Sequence, residues 1–553
     1  MSHSFGRSML RLVAAAGIIA AFPLFTRDTR ATAVTCLVPT TNGPVQGLDV
    51  GPSCSFLGIP YAAPPTAALR WKPPVSPAAW TTPVSVTGTP APQNCPNVNN
   101  GPPAGNENCL TLNVWVRNPR PLTPAPVMIW LHTGGFVASS ASFVNHIARR
   151  FAEETGVIVV APNYRLGPLG FLVHSALALE NPAHAASGNY GLMDQRFAMQ
   201  WVHANIAEFG GDPNNVTLAG TSAGGDSVGL HLVSPGSAGL FHRAIVQSGT
   251  PTIRWPTHAE STGQGDAFAA ALGCTTPATV LSCMRGKTFQ QVLQAITLGS
   301  QTVLEPTATR AFWQPVVDGI ELPEQPRYLF ERGQFHQVPL IVGYTRDEAA
   351  GAFLTRSFAS GVTLAQYQSW LGTEFGPLAA TVEGQYPSAT FPLPTDALAQ
   401  VVGDGQFVCE GRRLARSFSA LRVPAFVYSY EYVIDDVALD RVTHGVEGNI
   451  LFGNAYAPNQ FPVHALTSED LALHSQMAGY WARFITTGNP NIDDDSVVHW
   501  QVFREPVGNG RGANRHLVLD SVIRSDKRIR ESACDFWEPY FLRTMLGGVP
   551  AWQ

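Results

Sequence analysis

A serine between two glycines is the first feature of this sequence that could do chemistry. Gly220, Ser222 and Gly224 form the pattern G-x-S-x-G. An apolar run, 216–219, precedes it, and a helix-like stretch, 227–233, follows it. A strand, a tight turn and a helix in that order lift the serine hydroxyl above the end of the strand, which is typical of a nucleophile. The alternative is a glycine-rich loop with an ordinary surface serine.

The general base and the acid that a serine nucleophile requires have candidates later in the chain. Among the 15 histidines, His444 stands on a predicted loop after the apolar run 425–430. Glu348 follows the apolar run 340–342, and Asp347 beside it is the alternative acid. The order Ser, Glu, His is one that hydrolases with this serine turn use. Together these groups predict an acyl-transfer site that requires no metal and no cofactor.

Short apolar runs separated by helical stretches must position these side chains. The predicted strands are 127–131, 157–161, 216–219, 244–246, 340–342 and 425–428. Fully apolar strands of this length suit a central sheet that is covered on both faces. The stretch 194–208 mixes apolar and polar residues as a helix does. Strands that alternate with helices predict an α/β fold with a largely parallel sheet.

The first 33 residues are typical of a signal peptide. Arg7 and Arg11 give a positive start, residues 12–25 are apolar, and Ala31-Thr32-Ala33 fits a cleavage site. The apolar run is short for a membrane span, which needs about 20 residues, although an uncleaved anchor is the alternative. We therefore expect a secreted or periplasmic protein with no stable membrane insertion after cleavage.

Composition narrows the function classes further. A formal net charge of -5 suggests no polyanionic partner, and we expect no nucleic-acid binding. The eight cysteines are even in number and lack the C-x-x-C pairs of a zinc site, so they fit disulfides in an oxidising compartment. The length would allow several domains, but the alternating pattern predicts a single catalytic domain over residues 34–553.

Several motifs resemble the type-B carboxylesterase and lipase family, which includes the cholinesterases. They are FLGIPYA at 56–62, ENCLTLNV at 107–114, NYR at 163–165, FGGDPNNVTLAGTSAG at 209–224, QSG at 247–249 and CDFW at 534–537. The resemblance therefore covers almost the whole chain after the signal peptide. It implies the α/β-hydrolase fold, a large mostly parallel sheet flanked by helices, with helical insertions around 251–335 and 355–420. The resemblance implies that the chain is a secreted bacterial member of this family with serine carboxylesterase activity.

The resemblance also implies roles for the catalytic side chains. Ser222 would be the nucleophile, and His444, in a motif of the form H-G-x-E, would be the general base. Glu348 would orient the histidine, and it is favoured over Asp347 on the resemblance alone.

A second implied feature is an oxyanion hole. The family places backbone N–H donors in a glycine-rich segment after a strand, here WLHTGGF at 130–136. The N–H groups of Gly134 and Gly135 would join that of Ala223. Thr133 replaces the first of three glycines usual in the family, and we expect it to narrow the acyl side of the site.

The cysteine pairing follows from the same resemblance. It implies the disulfides Cys95–Cys109, Cys274–Cys283 and Cys409–Cys534, and Cys36–Cys54 is left by elimination.

Two departures from the cholinesterases bear on the substrate. Thr221 stands where cholinesterases carry a glutamate, and the loop between Cys95 and Cys109 is short. Without that glutamate, and without a long loop that carries an aromatic side chain, a quaternary ammonium group has little to attract it. We therefore expect a small-molecule ester as substrate, but no choline-ester specificity. The arginines Arg254, Arg310 and Arg356 raise the hypothesis of a carboxylate-bearing substrate.

Two rival functions remain open at this point. One is a non-catalytic binding protein with a hydrolase fold, and the other is a lipase that acts at lipid–water interfaces. The natural ester, the pocket residues and the oligomeric state have no signal in the sequence.

Overall fold

A large mixed β-sheet organises the described part of the protein. The computed structural model describes residues 36–89, 91–97, 102–120, 122–143, 147–180, 186–295, 313–350, 361–434, 441–455, 465–505 and 514–545. The predicted signal peptide, 1–33, lies outside these ranges.

Fourteen strands lie in the described ranges. They are β1 (Leu37–Thr40), β2 (Gly43–Gln46), β3 (Leu48–Asp49), β4 (Ser53–Pro60), β5 (Val84–Ser85), β6 (Thr111–Arg117), β7 (Ala125–Leu131), β8 (Ile158–Pro162), β9 (Gly211–Thr221), β10 (Arg243–Gln247), β11 (Leu340–Thr345), β12 (Ala425–Tyr430), β13 (Arg515–Leu519) and β14 (Arg524–Lys527). Eleven of them form one sheet in the order β14-β13-β12-β11-β10-β9-β7-β8-β6-β4-β3, and β1, β2 and β5 form a small second sheet.

The middle of the large sheet is parallel. Seven neighbouring strands, from β8 through β7, β9, β10, β11 and β12 to β13, pair in parallel. The flanking strands β6, β4 and β3 on one side, and β14 on the other, pair antiparallel. The prediction of a largely parallel sheet is confirmed, and each of the six predicted strands falls within or next to an observed one.

Burial on both faces explains why the central strands are apolar throughout. Successive side chains of a strand point to opposite faces. In β7, Val127, Ile129 and Leu131 belong to one hydrophobic cluster, and Met128 and Trp130 belong to the other. Because β7 contributes side chains to both clusters, neither of its faces is exposed to solvent and both are apolar.

Helices cover both faces of the sheet. They are α1 (Arg149–Thr155), α2 (Gly167–Phe171), α3 (Ser175–Glu180), α4 (Tyr190–Asn205), α5 (Ala223–Val233), α6 (His258–Ala271), α7 (Val280–Arg285), α8 (Phe289–Gln294), α9 (Pro326–Glu331), α10 (Leu364–Phe375), α11 (Ala379–Gln385), α12 (Pro394–Val402), α13 (Cys409–Ala420), α14 (Glu447–Phe452), α15 (Ser468–Thr487) and α16 (Glu531–Met545). A π-helix, Gly403–Val408, joins α12 to α13. Within the described ranges, no helix is both long enough and apolar enough to cross a membrane.

Helices α6 to α9 and α10 to α13 fall in the two stretches where helical insertions are predicted. The division into a signal peptide and a single catalytic domain stays a prediction.

Four disulfides cross-link the chain, and they are the four predicted pairs. The structure joins Cys36 to Cys54, Cys95 to Cys109, Cys274 to Cys283 and Cys409 to Cys534. The last pair closes a segment of 125 residues and links the start of α13 to α16. In the chain-entropy account, a loop of that length gives the largest stabilisation of the four.

Candidate active site

The turn between β9 and α5 carries Ser222. Its backbone has φ 57° and ψ −126°, a conformation that a non-glycine residue adopts only under constraint. Its N–H donates to the carbonyl of Gln247 at 2.9 Å, so the turn is tied to the end of the neighbouring strand β10. The serine is half-buried, at the carboxyl edge of the sheet and the N-terminus of α5. This is the strained turn that the sequence pattern predicts.

Close packing explains the two glycines that flank the serine. A β-carbon at Gly224 would lie 2.1 Å from the carbonyl oxygen of Leu131, the last residue of β7. A β-carbon at Gly220 would lie 2.5 Å from the backbone of Gly224. Both distances are far inside van der Waals contact, so only glycine lets α5 begin this close to β7.

That approach brings Ala223, the first residue of α5, next to the loop that leaves β7. A β-carbon at Gly224 would also lie 2.9 Å from the carbonyl oxygen of His132 in that loop. Gly134 has φ +118° and Gly135 has φ +59°, and both are conformations that favour glycine. The structure therefore places the three predicted oxyanion-hole residues on two adjacent backbone segments.

His132 braces this loop as an uncharged side chain. Its Nδ1 lies 2.8 Å from the carbonyl oxygen of Thr133, and its ring stacks on Tyr164 with 4.2 Å between centroids. The Tyr164 hydroxyl donates to the carbonyl oxygen of His132 at 2.9 Å. Burial lowers the pKa of His132 to about 4, although the bond to Thr133 opposes the shift. The imidazole is therefore uncharged near neutral pH and supports the backbone of this loop.

The predicted acid and base are in direct contact. His444 Nδ1 lies 2.6 Å from Glu348 Oε2. The other carboxylate oxygen of Glu348 accepts from the backbone N–H of Thr345 at 2.9 Å and from the Ser248 hydroxyl at 2.7 Å. The Glu348 side chain is fully buried, and these bonds fix it in one orientation. The alternative acid, Asp347, makes no hydrogen bond to His444 among the bonds described.

The loop that carries His444 lies against the serine turn. A β-carbon at Gly445 would lie 3.7 Å from Thr221 Oγ1, which is an ordinary contact distance. Phe407, in the π-helix, packs its ring on the imidazole of His444 with 5.1 Å between centroids. The structure thus gathers Ser222, Glu348 and His444 at the carboxyl edge of the parallel strands.

Acidic groups set the proton affinity of His444. Burial lowers the pKa of this histidine, but Glu348, by its charge and its hydrogen bond, and then Glu447 and Asp226, raise it more. The net effect is a pKa above the ordinary value, which favours the imidazolium form.

Two of the groups around the triad had no role in the sequence analysis. Ser248 links Glu348 to Glu447, since its hydroxyl lies 3.4 Å from Glu447 Oε1. Glu447 also accepts from the Tyr428 hydroxyl at 3.2 Å and from the Gln247 amide at 3.4 Å. Burial, followed by the charge of Glu348, raises the pKa of Glu447 to about 7. Ser248 stands in the motif at 247–249, and Glu447 ends the H-G-x-E motif that begins at His444. Their place in these motifs is the only feature of the sequence that indicates a position near the site.

A third group, Asp226, lies one turn of α5 beyond Ser222. Its carboxylate accepts from the Thr250 N–H at 2.5 Å and thereby ties α5 to the segment after β10. Burial is the main reason that its pKa rises to about 7. Nothing in the sequence pattern singled it out.

The hypothesis of an arginine site for carboxylate-bearing substrates gains no support. Arg254 forms an ion pair with Glu260, in which both side chains are about a third or more exposed. Arg310 and Arg356 lie outside the described residues. Within the described ranges, no group of three or more His, Cys, Asp or Glu side chains could hold a metal ion.

Comparison with known proteins agrees with this geometry. Residues 35–537 match the model of a family described as the carboxylesterase family. A curated relative, a protein named cholinesterase from Mus musculus, is 30% identical over 557 aligned positions, which cover 92% of this chain and 87% of the relative. The chain belongs to the carboxylesterase family. The α/β-hydrolase fold that the motifs implied is therefore confirmed.

Membership of the carboxylesterase family makes the protein an ester hydrolase. The family match begins at residue 35, just after the predicted signal peptide, and ends at Trp537. Two features distinguish the site of this family member: Thr221 stands directly before the serine, and the Cys95–Cys109 disulfide closes a loop with a sequence separation of 14.

Proposed function

We propose that this ester hydrolase is a serine carboxylesterase in which Ser222 attacks the ester, His444 is the general base and Glu348 orients the base. The observation that carries the proposal is the 2.6 Å contact between His444 Nδ1 and Glu348 Oε2, next to a serine on a strained turn. A carboxylate on Nδ1 holds the proton there and leaves Nε2 as the nitrogen that can accept the serine proton.

The reaction takes place in two halves. In the first, His444 takes the proton of Ser222 as the hydroxyl oxygen attacks the ester carbonyl, and the same proton then goes to the departing alcohol. In the second, His444 activates a water that attacks the acyl-enzyme and releases the acid. Glu348, Glu447 and Asp226 all favour the imidazolium, so they stabilise the charge that His444 acquires in both halves.

The oxyanion hole consists of the N–H groups of Gly134, Gly135 and Ala223. The positive φ of both glycines and the close approach of α5 to the loop after β7 support this assignment. Backbone donors held in this way stabilise the negative charge on the former carbonyl oxygen without reorganising, which lowers the barrier. Thr133, beside them, would narrow the acyl side.

The proposed substrate is a small neutral carboxylic ester. The relative from Mus musculus is named a cholinesterase, but Thr221 and the short Cys95–Cys109 loop argue against a choline ester here. The described surroundings of His444 are acidic, which also argues against esters with a carboxylate near the scissile bond.

We further propose that residues 1–33 are a signal peptide and that the enzyme acts outside the cytoplasm. Four disulfides support this, because such bonds form and persist in oxidising compartments.

The test is hydrolysis of p-nitrophenyl esters of increasing acyl length by the mature protein and by its Ser222→Ala variant. We expect the variant to lose activity by a factor of about 10³ or more. Ser521→Ala, on an exposed turn, is the matched control and should behave as the wild type. A folded wild type that hydrolyses none of the esters would favour the non-catalytic binding protein. A rate that jumps once a triglyceride exceeds its solubility would favour the interfacial lipase.

A further inference from the structure

Asp347, the neighbour of the triad acid, forms a two-way clasp with the histidine loop. Its backbone N–H donates to the carbonyl oxygen of Val442 at 3.0 Å. Its side-chain Oδ2 accepts from the N–H of Val442 at 2.9 Å. Val442 is fully buried and lies two residues before His444. Both backbone polar groups of Val442 are therefore satisfied by one residue, which stands next to Glu348.

Charged neighbours hold the Asp347 carboxylate in place. Arg346 Nε donates to Oδ2 at 3.0 Å, and Arg441 lies 3.9 Å from Oδ1. Arg441 in turn pairs with Asp396, at the start of α12, at 2.6 Å. These side chains line a cavity of about 80 Å³ whose wall also includes Glu348. The Asp347 carboxylate is thus held by Arg346, Arg441 and the N–H of Val442 at the wall of this cavity.

We propose that Asp347 is a positioning residue for the general base. Asp347 stands on the backbone turn that carries Glu348 and binds Val442, so it sets where the His444 loop begins relative to the acid. The inference rests on the proposed function, since it concerns the alignment of that base.

A small displacement of the loop would have a large effect. The His444–Glu348 contact is 2.6 Å long, and the Asp347–Val442 bonds join the backbone segments that carry the two side chains. Misplacement of a catalytic group by about 1 Å can lower a rate about 100-fold. Removing the Asp347 carboxylate leaves the N–H of Val442 in the interior without its acceptor, and the loop must shift to satisfy it.

The proton affinity of His444 reports such a shift. Among the residues that the structure describes, three acids act on this histidine: Glu348, Glu447 and Asp226. The contact with Glu348 contributes most of the rise in its pKa, and burial acts in the opposite direction. A looser contact therefore lowers the pKa of His444. Since the base must be uncharged to act, the acidic limb of the pH profile would move to lower pH.

The experiment compares Asp347→Ala, Asp347→Asn and Asp396→Ala in the full mature enzyme, with kcat and KM measured across pH on a p-nitrophenyl ester. We expect Asp347→Ala to lower kcat by about 10- to 100-fold at nearly constant KM and to shift the acidic limb downwards. Asp347→Asn should recover most of kcat, because its amide oxygen can still accept from Val442. Asp396→Ala removes the ion pair with Arg441 but not the clasp, so its kcat should stay within about two-fold of the wild type.

Other outcomes would overturn the inference. If Asp347→Ala keeps kcat within two-fold, or loses kcat with an unchanged pH profile in proportion to a lower folded fraction, Asp347 has only a structural role. If Asp347→Asn is as impaired as Asp347→Ala, charge and not the bond to Val442 is what matters. The proposed function itself is judged separately by Ser222→Ala, which must be inactive whatever the Asp347 variants show.

Discussion

The serine turn and the histidine loop are built in opposite ways. The turn around Ser222 is marked by residues close in sequence, since two glycines, a strand end and a helix start all lie within a few positions, and its tertiary contacts are made to the strand ends at Gln247 and Leu131. The loop around His444 is fixed by residues far away in sequence: Asp347 holds Val442, Glu348 bonds the imidazole and Phe407 packs on its ring. The pattern that identifies the nucleophile is therefore local in sequence, whereas the position of the base depends on contacts between residues far apart in sequence. Substitutions in the two regions should therefore impair the enzyme in different ways.

The largest effect is expected at the turn, from Gly224→Ala. A β-carbon there would lie 2.1 Å from the backbone of Leu131, and neither α5 nor β7 can give way without moving the sheet. Overpacking typically costs about 1 to 3 kcal/mol, and a contact this short with backbone on both sides places Gly224→Ala at or above the upper end. We expect little folded protein and no measurable esterase activity, as judged by circular dichroism, thermal melting and hydrolysis of a p-nitrophenyl ester.

A matched glycine makes that result interpretable. Gly263 lies on the exposed face of α6, and a β-carbon there meets nothing within 4 Å. Gly263→Ala should keep full activity and gain about 0.5 to 1 kcal/mol of stability, because alanine restricts the unfolded chain and favours helix. A Gly224→Ala enzyme as active as Gly263→Ala would show that the turn is not as tightly constrained as its geometry indicates.

The second largest effect is expected at the base, from Glu348→Gln. The amide keeps the shape but not the charge, so it neither stabilises the imidazolium nor fixes the tautomer of His444. We expect kcat to fall by about 100- to 10,000-fold with a nearly normal melting temperature. Asp347→Asn, one residue away, is the control and should lose far less. The reverse order of severity would make Asp347 the acid and contradict the assignment.

How much the sequence predicts follows the same division. Ser222, Glu348 and His444 each follow a strand along the chain, and each lies in a short motif that resembles the family. The candidate triad and the fold could therefore be predicted from the sequence. The four disulfides could be paired too, because the resemblance covers their surroundings.

The supporting groups could not be assigned roles in the same way. Ser248 lies in a recognised motif, yet its bond to Glu348 joins residues 100 positions apart. The clasp of Asp347 on Val442 spans 95 positions. Phe407 reaches the site only once the chain has folded, and Asp226, although it lies one turn from Ser222, acts on His444 only in the folded chain. A pattern in a single sequence shows which residue types stand near a strand end, but not which of them will meet across the sheet.

We expect the smallest effect on rate from Glu447→Gln. This variant is also the most direct probe of how distant charges act on the general base. The charge of Glu447 raises the pKa of His444, so its removal should move the acidic limb of kcat/KM to lower pH by about half a unit to one unit. We expect kcat to change by less than about 10-fold, because Glu348 still orients the base.

The same variant predicts a change in stability with a definite sign. Burial and the charge of Glu348 raise the pKa of Glu447 to about 7 in the folded state, whereas an unfolded glutamate titrates near 4.3. The folded protein therefore holds this proton more tightly, and its stabilising contribution is complete below about pH 4 and is lost as the pH rises to about 7. The loss is on the order of 4 kcal/mol. Glutamine does not titrate, so the melting temperature of Glu447→Gln relative to the wild type should rise between pH 5 and pH 8.

Asp226 titrates in both proteins, so its contribution cancels in the comparison. Parallel melting curves across that range would show that Glu447 is already ionised in the fold, and the base would then owe its raised pKa to a carboxylate that is charged throughout.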